Sequence, residues 1–334
     1  MRVAALLVGA LAVTGVPAHP GEDISKEIAD PEAMLKQLSH RSLNHCVDKI
    51  KGSALEARSI ARRHELAASI MKKGGLVARD DEPIDKSHKS DAGYTMDTPI
   101  TEIFGSNASC VLAPEVTEGP YYVTGEFVRQ HIAESQKGVN LHLDIQVLNT
   151  ETCEPVAGVY VEVWQTNSTG VYGGIVAKGD GNPDDKSNAK KTWLRGFQNS
   201  TEDGVVQFHT LFPGHYHGRA PHIHVAVHVN ATAFRNHTIK NTNAFHSGQI
   251  FFDQDLINEV EKQKPYNTNQ QTLVNNTDDG ILRAAMAHGS DPFANYVYLN
   301  GKDVTDGLLG WISFGINTSY TRTIHPAGEF HGWE

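Results

Sequence analysis

From about Cys110 onward the chain breaks into short runs in which apolar and polar residues alternate. Leu141-His142-Leu143-Asp144-Ile145-Gln146-Val147 and Val159-Tyr160-Val161-Glu162-Val163-Trp164 alternate strictly. Val205-Val206-Gln207-Phe208 and His222-Ile223-His224-Val225-Ala226-Val227 look like further strands. A period of two puts every second side chain on one face of an extended strand, which no helix reproduces. Turn residues separate the runs at Pro155–Gly158, along Gly179–Lys191 and at Glu202-Asp203-Gly204. Short strands punctuated in this way predict a mainly β chain, a β-sandwich or a barrel. The sequence has no internal repeat, no glycine-rich phosphate loop and no Gly-x-Ser-x-Gly elbow.

The N-terminal third follows other rules. Arg2 precedes an apolar run from Val3 to Val13, and Val16-Pro17-Ala18 offers small residues for cleavage. This reads as a secretion signal over residues 1–18, because eleven apolar residues fall short of the roughly 20 that span a bilayer. Residues 19–72 form a helical segment, with Met34, Leu35, Leu38 and Leu43, then Leu55, Ile60, Leu66 and Ile70, on either side of Lys51-Gly52-Ser53. Two amphipathic helices with such stripes serve packing or form a homodimer contact. The dibasic pairs Arg62-Arg63 and Lys72-Lys73 keep a removable pro-segment open. Residues 73–109 read as a linker or surface arm, residues 110–318 as the β domain, and residues 319–334 as a tail.

Charge narrows the partners. The chain carries 39 acidic and 29 basic residues, a net charge of −10, so it has no basic field for nucleic acid. No later stretch is apolar enough for a membrane span. Sequons at Asn107, Asn167, Asn199, Asn230, Asn236, Asn275 and Asn317 agree with export as a soluble, extracellular glycoprotein. In an oxidising compartment two of Cys46, Cys110 and Cys153 are expected to pair. Cys110–Cys153 is the expected pair, since both border the β region while Cys46 lies in the helical segment.

The chemistry concentrates in one stretch. Six of the 18 histidines fall between His209 and His228, most densely in Pro213-Gly214-His215-Tyr216-His217-Gly218-Arg219-Ala220-Pro221-His222-Ile223-His224. His222 and His224 are two apart in a strand, so both imidazoles leave the same face and suit one metal ion. A polar strand face, or a copper or zinc site, would look the same. Tyr216 and Tyr172, the latter in Thr169-Gly170-Val171-Tyr172-Gly173-Gly174, add two phenols. Two imidazoles and two phenolates make a coherent set for a hard trivalent ion, which lowers the phenol pKa from about 10.

Thr117-Glu118-Gly119-Pro120-Tyr121-Tyr122, Val163-Trp164-Gln165, Gly170-Val171-Tyr172, Asp203-Gly204 and Pro213-Gly214-His215-Tyr216 to His224 occur in one order. In this the chain resembles the intradiol ring-cleavage dioxygenases, most closely their secreted fungal branch, over roughly residues 110–252 with a weaker tail to 318. The resemblance implies the β-sandwich of that family and a non-haem Fe(III) held by Tyr172, Tyr216, His222 and His224. Tyr216 and His224 would be axial, with Tyr172, His222 and a hydroxide equatorial. It implies a small catechol-type substrate and O2, with cleavage between the hydroxylated carbons to a cis,cis-muconate-type diacid. Tyr216 would leave the metal and accept a substrate proton, Arg219 would stabilise negative charge, and Gln249 resembles a glutamine standing behind the ligands. Arg219-Ala220-Pro221 departs from the Arg-Pro-Ala usual in bacterial relatives, which points to a different pocket wall. His209, His215, His217 and His228 match no ligand.

Overall fold

The computed structural model describes residues 43–74, 118–177, 179–286, 291–299 and 303–330. The expected signal sequence, Met34, Leu35 and Leu38, nearly all of the 73–109 arm, Asn107 and Cys110 lie outside the described residues.

The alternating runs become the strands β1 (Asn140–Asn149), β2 (Tyr160–Trp164), β3 (Arg195–Asn199), β4 (Val205–Leu211) and β5 (His222–His228). They are followed by β6 (Asn243–Phe251), β7 (Asn295–Tyr298), β8 (Leu308–Ile316) and β9 (Arg322–Thr323). One sheet has the order β7-β8-β1-β4 and the other β9-β6-β5-β2-β3. Neighbours run antiparallel except β8 and β1, which are parallel. Between the sheets Leu141, Leu143, Ile145, Val147 and Phe208 meet Val161, Val163, Ile223, Val225 and Ile250 in one apolar cluster. This is a β-sandwich, one of the two architectures the period of two allowed and the one the resemblance implied.

Both faces of β1 are covered, although its alternation suggested a solvated side. The helices α1 (Val47–Ile50) and α2 (Ala54–Gly74) explain it. Glu56 in the first turn of α2 and Lys72 and Lys73 in its last complement the helix dipole. Leu66, Ala67 and Ile70 pack on Val297, Leu299, Leu309 and Trp311, and the Arg63 guanidinium lies 5.4 Å from the Trp311 ring. Beside them Arg62 donates twice to Asp144, at 2.9 and 3.0 Å, and the Ser59 hydroxyl lies 3.3 Å from Oε1 of Gln146. The apolar stripe offered as a packing or dimer surface is thus laid on the chain's own sheet.

This docking corrects the cysteine pairing. Cys153 is bonded to Cys46, not to Cys110, across a sequence separation of 107. The helical segment is no separate body: Leu43, Cys46, Ile50 and Leu55 join the same apolar cluster as Leu148 and Cys153. Lateral packing therefore brings Cys46 to within 5.3 Å (Cα–Cα) of Cys153.

At the other end, short pairings tie down the segment before β1. Val123–Thr124 pairs with Gly328–Glu329, and Glu126–Phe127 with Thr238–Ile239. Arg322 donates to Glu118 at 3.0 Å, and the His325 amide to the same carboxylate at 2.6 Å. Residues 322–329, part of the expected tail, thereby hold the approach to Tyr121. No helix among the described residues is long and apolar enough to cross a membrane.

Candidate metal centre

Strand β5 divides its side chains between two tasks. Ile223, Val225 and Val227 enter the inter-sheet core, so His222, His224, Ala226 and His228 take the opposite face. Register then sets the neighbours: Trp164 of β2 and Gln249 of β6 lie directly across from His224, and Phe251 across from His222. Directly opposed residues share a face. The Trp164 ring stacks on the His224 imidazole, with centroids 4.8 Å apart and planes 6° from parallel.

Two loops carry the tyrosines to this face. After β2, Oδ1 of Asn167 accepts the backbone N–H groups of Thr169 and Val171, and Gly170 takes φ +75°, where a side chain is strained. The Tyr172 backbone is then fixed from both sides: its N–H donates to Asp180 at 2.8 Å and its carbonyl accepts Asn188 at 2.5 Å. Tyr216 lies in a tight turn whose Arg219 N–H reaches the Tyr216 carbonyl at 3.4 Å, with Gly218 at φ +83°. The loops interlock, since a Cβ on Gly170 would come within 2.1 Å of the His215 carbonyl oxygen.

Four donor atoms converge. The Tyr216 hydroxyl lies 3.5 Å from Nε2 of His222, which lies 3.1 Å from Nε2 of His224, which lies 3.1 Å from the Tyr172 hydroxyl. Ligand atoms about 2.1 Å from a shared ion sit about 3 Å apart when cis. Nδ1 of His222 lies 2.7 Å from the Ala220 carbonyl, a contact only an Nδ1–H can satisfy, so Nε2 carries the lone pair. Burial pushes the Tyr216 phenol up to about 12, opposed by the nearby Arg219 charge. The Tyr172 phenol is driven well up, first by burial and then by Tyr216. Neutral phenols and an imidazole lone pair around one point suit a cation of high charge, the condition under which the phenols ionise.

Behind the four donors stand Arg219 and Gln249, both buried. Arg219 donates from Nε to Asp279 at 2.8 Å and from Nη2 to Oε1 of Gln249 at 2.5 Å. Its Nη1 and the Nε2 of Gln249 are buried without a hydrogen-bond partner. Gly119 and Tyr121 cover the centre. A Cβ on Gly119 would lie 3.4 Å from Cε1 of His224, and Tyr121 stacks on Tyr172 at 4.7 Å and meets Tyr216 edge-on at 5.7 Å. The structure thus brings together all six residues singled out by sequence: Tyr172, Tyr216, Arg219, His222, His224 and Gln249.

Among solved structures, an intradiol ring-cleavage dioxygenase from Tetranychus urticae is 31% identical, aligns with 66% of this chain and 99% of its own, and has a TM-score of 0.51. The chain belongs to the intradiol ring-cleavage dioxygenases. A second dioxygenase crystal structure is 30% identical over the same shares, with a TM-score of 0.51. No family model and no curated protein matches the chain.

As a dioxygenase of this family, the chain surrounds its centre with groups that sequence did not single out. Arg195 donates to the Gly173 and Tyr121 carbonyls, each at 2.6 Å, and pairs with Glu126 at 3.2 Å, joining the Tyr172 loop to the cover. Asp279 was hidden in Asn275-Asn276-Thr277-Asp278-Asp279-Gly280, where an Asp-Gly turn was the only signal. The histidines that match no ligand bond elsewhere: His215 to Glu261 and the Gln271 carbonyl, His228 to Glu162, and His209 to His131. The His217 backbone N–H donates to Gln271.

Proposed function

We propose that this dioxygenase holds Fe(III) through Tyr172, Tyr216, His222 and His224 and cleaves catechol-type aromatics between their hydroxylated carbons. The observation carrying the reading is the run of four donor atoms at 3.5, 3.1 and 3.1 Å around one buried point. When bound, ferric iron supplies the Lewis acidity that acidifies a catechol and the electron demand that opens its ring to triplet O2.

The protein's own groups divide the remaining work. Tyr216, in the turn closed by the Arg219 N–H, would take a substrate proton on its phenolic oxygen. Nη1 of Arg219 and Nε2 of Gln249 are donors aimed at negative charge developing on the substrate, and burial strengthens both. The Tyr121 ring and Gly119 limit water. Catechol plus O2 gives a cis,cis-muconate-type diacid, with both oxygen atoms retained and no nicotinamide or flavin consumed. The signal sequence and seven sequons support a secreted glycoprotein of the fungal type acting on external plant phenolics.

Purified protein should bind one iron per chain, show a visible tyrosinate band, and consume O2 with catechols while a muconate absorbance appears. Tyr172→Phe should shift or bleach that band and weaken iron binding. An iron-free, colourless wild type, or an unchanged Tyr172→Phe spectrum, would refute the ligand set.

A further inference from the structure

We propose that Asp279 is the positioning residue of this centre: a buried carboxylate that aims the Arg219 guanidinium. The inference rests on the proposed function for its consequence in turnover, and on geometry alone for the contact.

Asp279 lies immediately before α3 (Gly280–Met286) and is fully buried. Its two oxygens do different things. Oδ1 accepts the N–H groups of Ile281 and Leu282, each at 2.9 Å, which is helix capping. Oδ2 accepts Nε of Arg219 at 2.8 Å and the Ala220 N–H at 2.9 Å. Capping needs one acceptor and no charge, so the second oxygen is surplus to it. Ala220 in turn accepts Nδ1–H of His222 through its carbonyl. One carboxylate therefore reaches the charge-stabilising cation through its side chain and a metal-facing imidazole through one residue of backbone.

The electrostatics require such a partner. A fully buried guanidinium without a counter-ion is strongly disfavoured and moves toward water. With Nε held by Asp279 and Nη2 by Gln249, the planar fork leaves Nη1 a single direction. Burial alone would raise the Asp279 carboxyl, but the Arg219 charge and the Leu282 amide hold it below the ordinary carboxylate range. A displacement of about 1 Å in such a donor can cost about 100-fold in rate.

Asp279→Asn and Asp279→Ser separate this role from capping. Both keep a capping oxygen, but Asn turns an NH2 toward Nε–H of Arg219 and Ser cannot reach it. In proton–nitrogen NMR spectra of the metal-free chain, Arg219 should give a slowly exchanging Nε–H signal, assigned by its loss in Arg219→Lys. Both Asp279 variants should lose that signal. Loaded with iron, they should keep the metal and the visible band, lose about 10- to 100-fold in kcat, and lose nothing further when combined with Arg219→Ala. A protected signal that persists in Asp279→Ser overturns the proposal. So does a kcat loss that multiplies with that of Arg219→Ala, or free-arginine exchange of the signal in the wild type, which needs no variant to fold. A wild type without iron or ring cleavage would refute the proposed function and leave the NMR test standing.

Discussion

Removing the Cys46–Cys153 bond by the double change Cys46→Ala and Cys153→Ala tests how the helical segment is held. The bond closes a separation of 107 residues. Loop-closure entropy for a cross-link of that span is roughly 16 cal/mol/K, or about 5 kcal/mol at 25 °C, by which the intact bond disfavours the unfolded chain. At about 2.1 cal/mol/K of unfolding entropy per residue, that corresponds to a fall in Tm of roughly 7 °C for a chain of 334 residues. Calorimetry and guanidinium titration of oxidised wild type and double variant measure it directly. The candidate metal centre is built by β5 and two loops outside the closed span's ends, so on the proposed function iron content and the visible band should not change at 25 °C. A loss below about 1 kcal/mol would refute the reasoning, since α2 would then hold its place through Arg62–Asp144 and the Trp311 cluster alone. Destabilisation by Cys110→Ala with none from Cys46→Ala would show the pairing itself to be wrong.

Three further outcomes follow from single contacts. Gly170→Ala forces a side chain into the left-handed region and toward the His215 carbonyl, so it should cost at least about 2 kcal/mol in denaturant unfolding and weaken iron binding; unchanged iron affinity would mean that the tyrosine loops are not coupled there. Burial, with Arg322 adding, holds the His246 imidazole down to about 3, so its stabilising contribution is complete above the unfolded value of about 6.5 and is lost as pH falls toward 3; His246→Leu should flatten the stability–pH slope between pH 6.5 and 4.5 by about 1.4 kcal/mol per unit, and an unaltered slope would exclude that role. Arg62→Ala leaves the buried Asp144 with Gln207 as its remaining side-chain donor and should cost about 2 kcal/mol, read from the denaturation midpoint, whereas no loss would show the pair to be dispensable.

What sequence made legible here is local periodicity and residue chemistry. His222 and His224 share a face because strands have a period of two, and no tertiary knowledge is needed to see it. Tyr172 and Tyr216 were legible as ligand types, but their approach depends on the Asn167 turn, the bend at Gly170 and the fit of one loop on the other. The cysteine pairing failed because nearness to the β region in sequence is no guide to nearness in space once a helix lies across a sheet. Asp279 was illegible for a related reason: it stands 60 residues beyond Arg219, and an Asp before a helix has an adequate local explanation as a cap.

Most of what orients the donors is independent of any ion. His222 is turned by the Ala220 carbonyl, Tyr172 is fixed by Asp180 and Asn188 through its backbone, and His224 is stacked on Trp164. The same burial that drives both phenols up makes two ionised oxygens in one cavity mutually repulsive. Preorganisation and repulsion act together. The protein holds four donors within bonding reach of one another, while denying the two phenols their charge until a cation of sufficient valence arrives. A divalent ion of borderline softness satisfies the imidazoles but gives the phenols less reason to ionise. On the proposed function, selection for a hard trivalent metal would fall to the two buried phenols, whose ionisation needs the strongest charge.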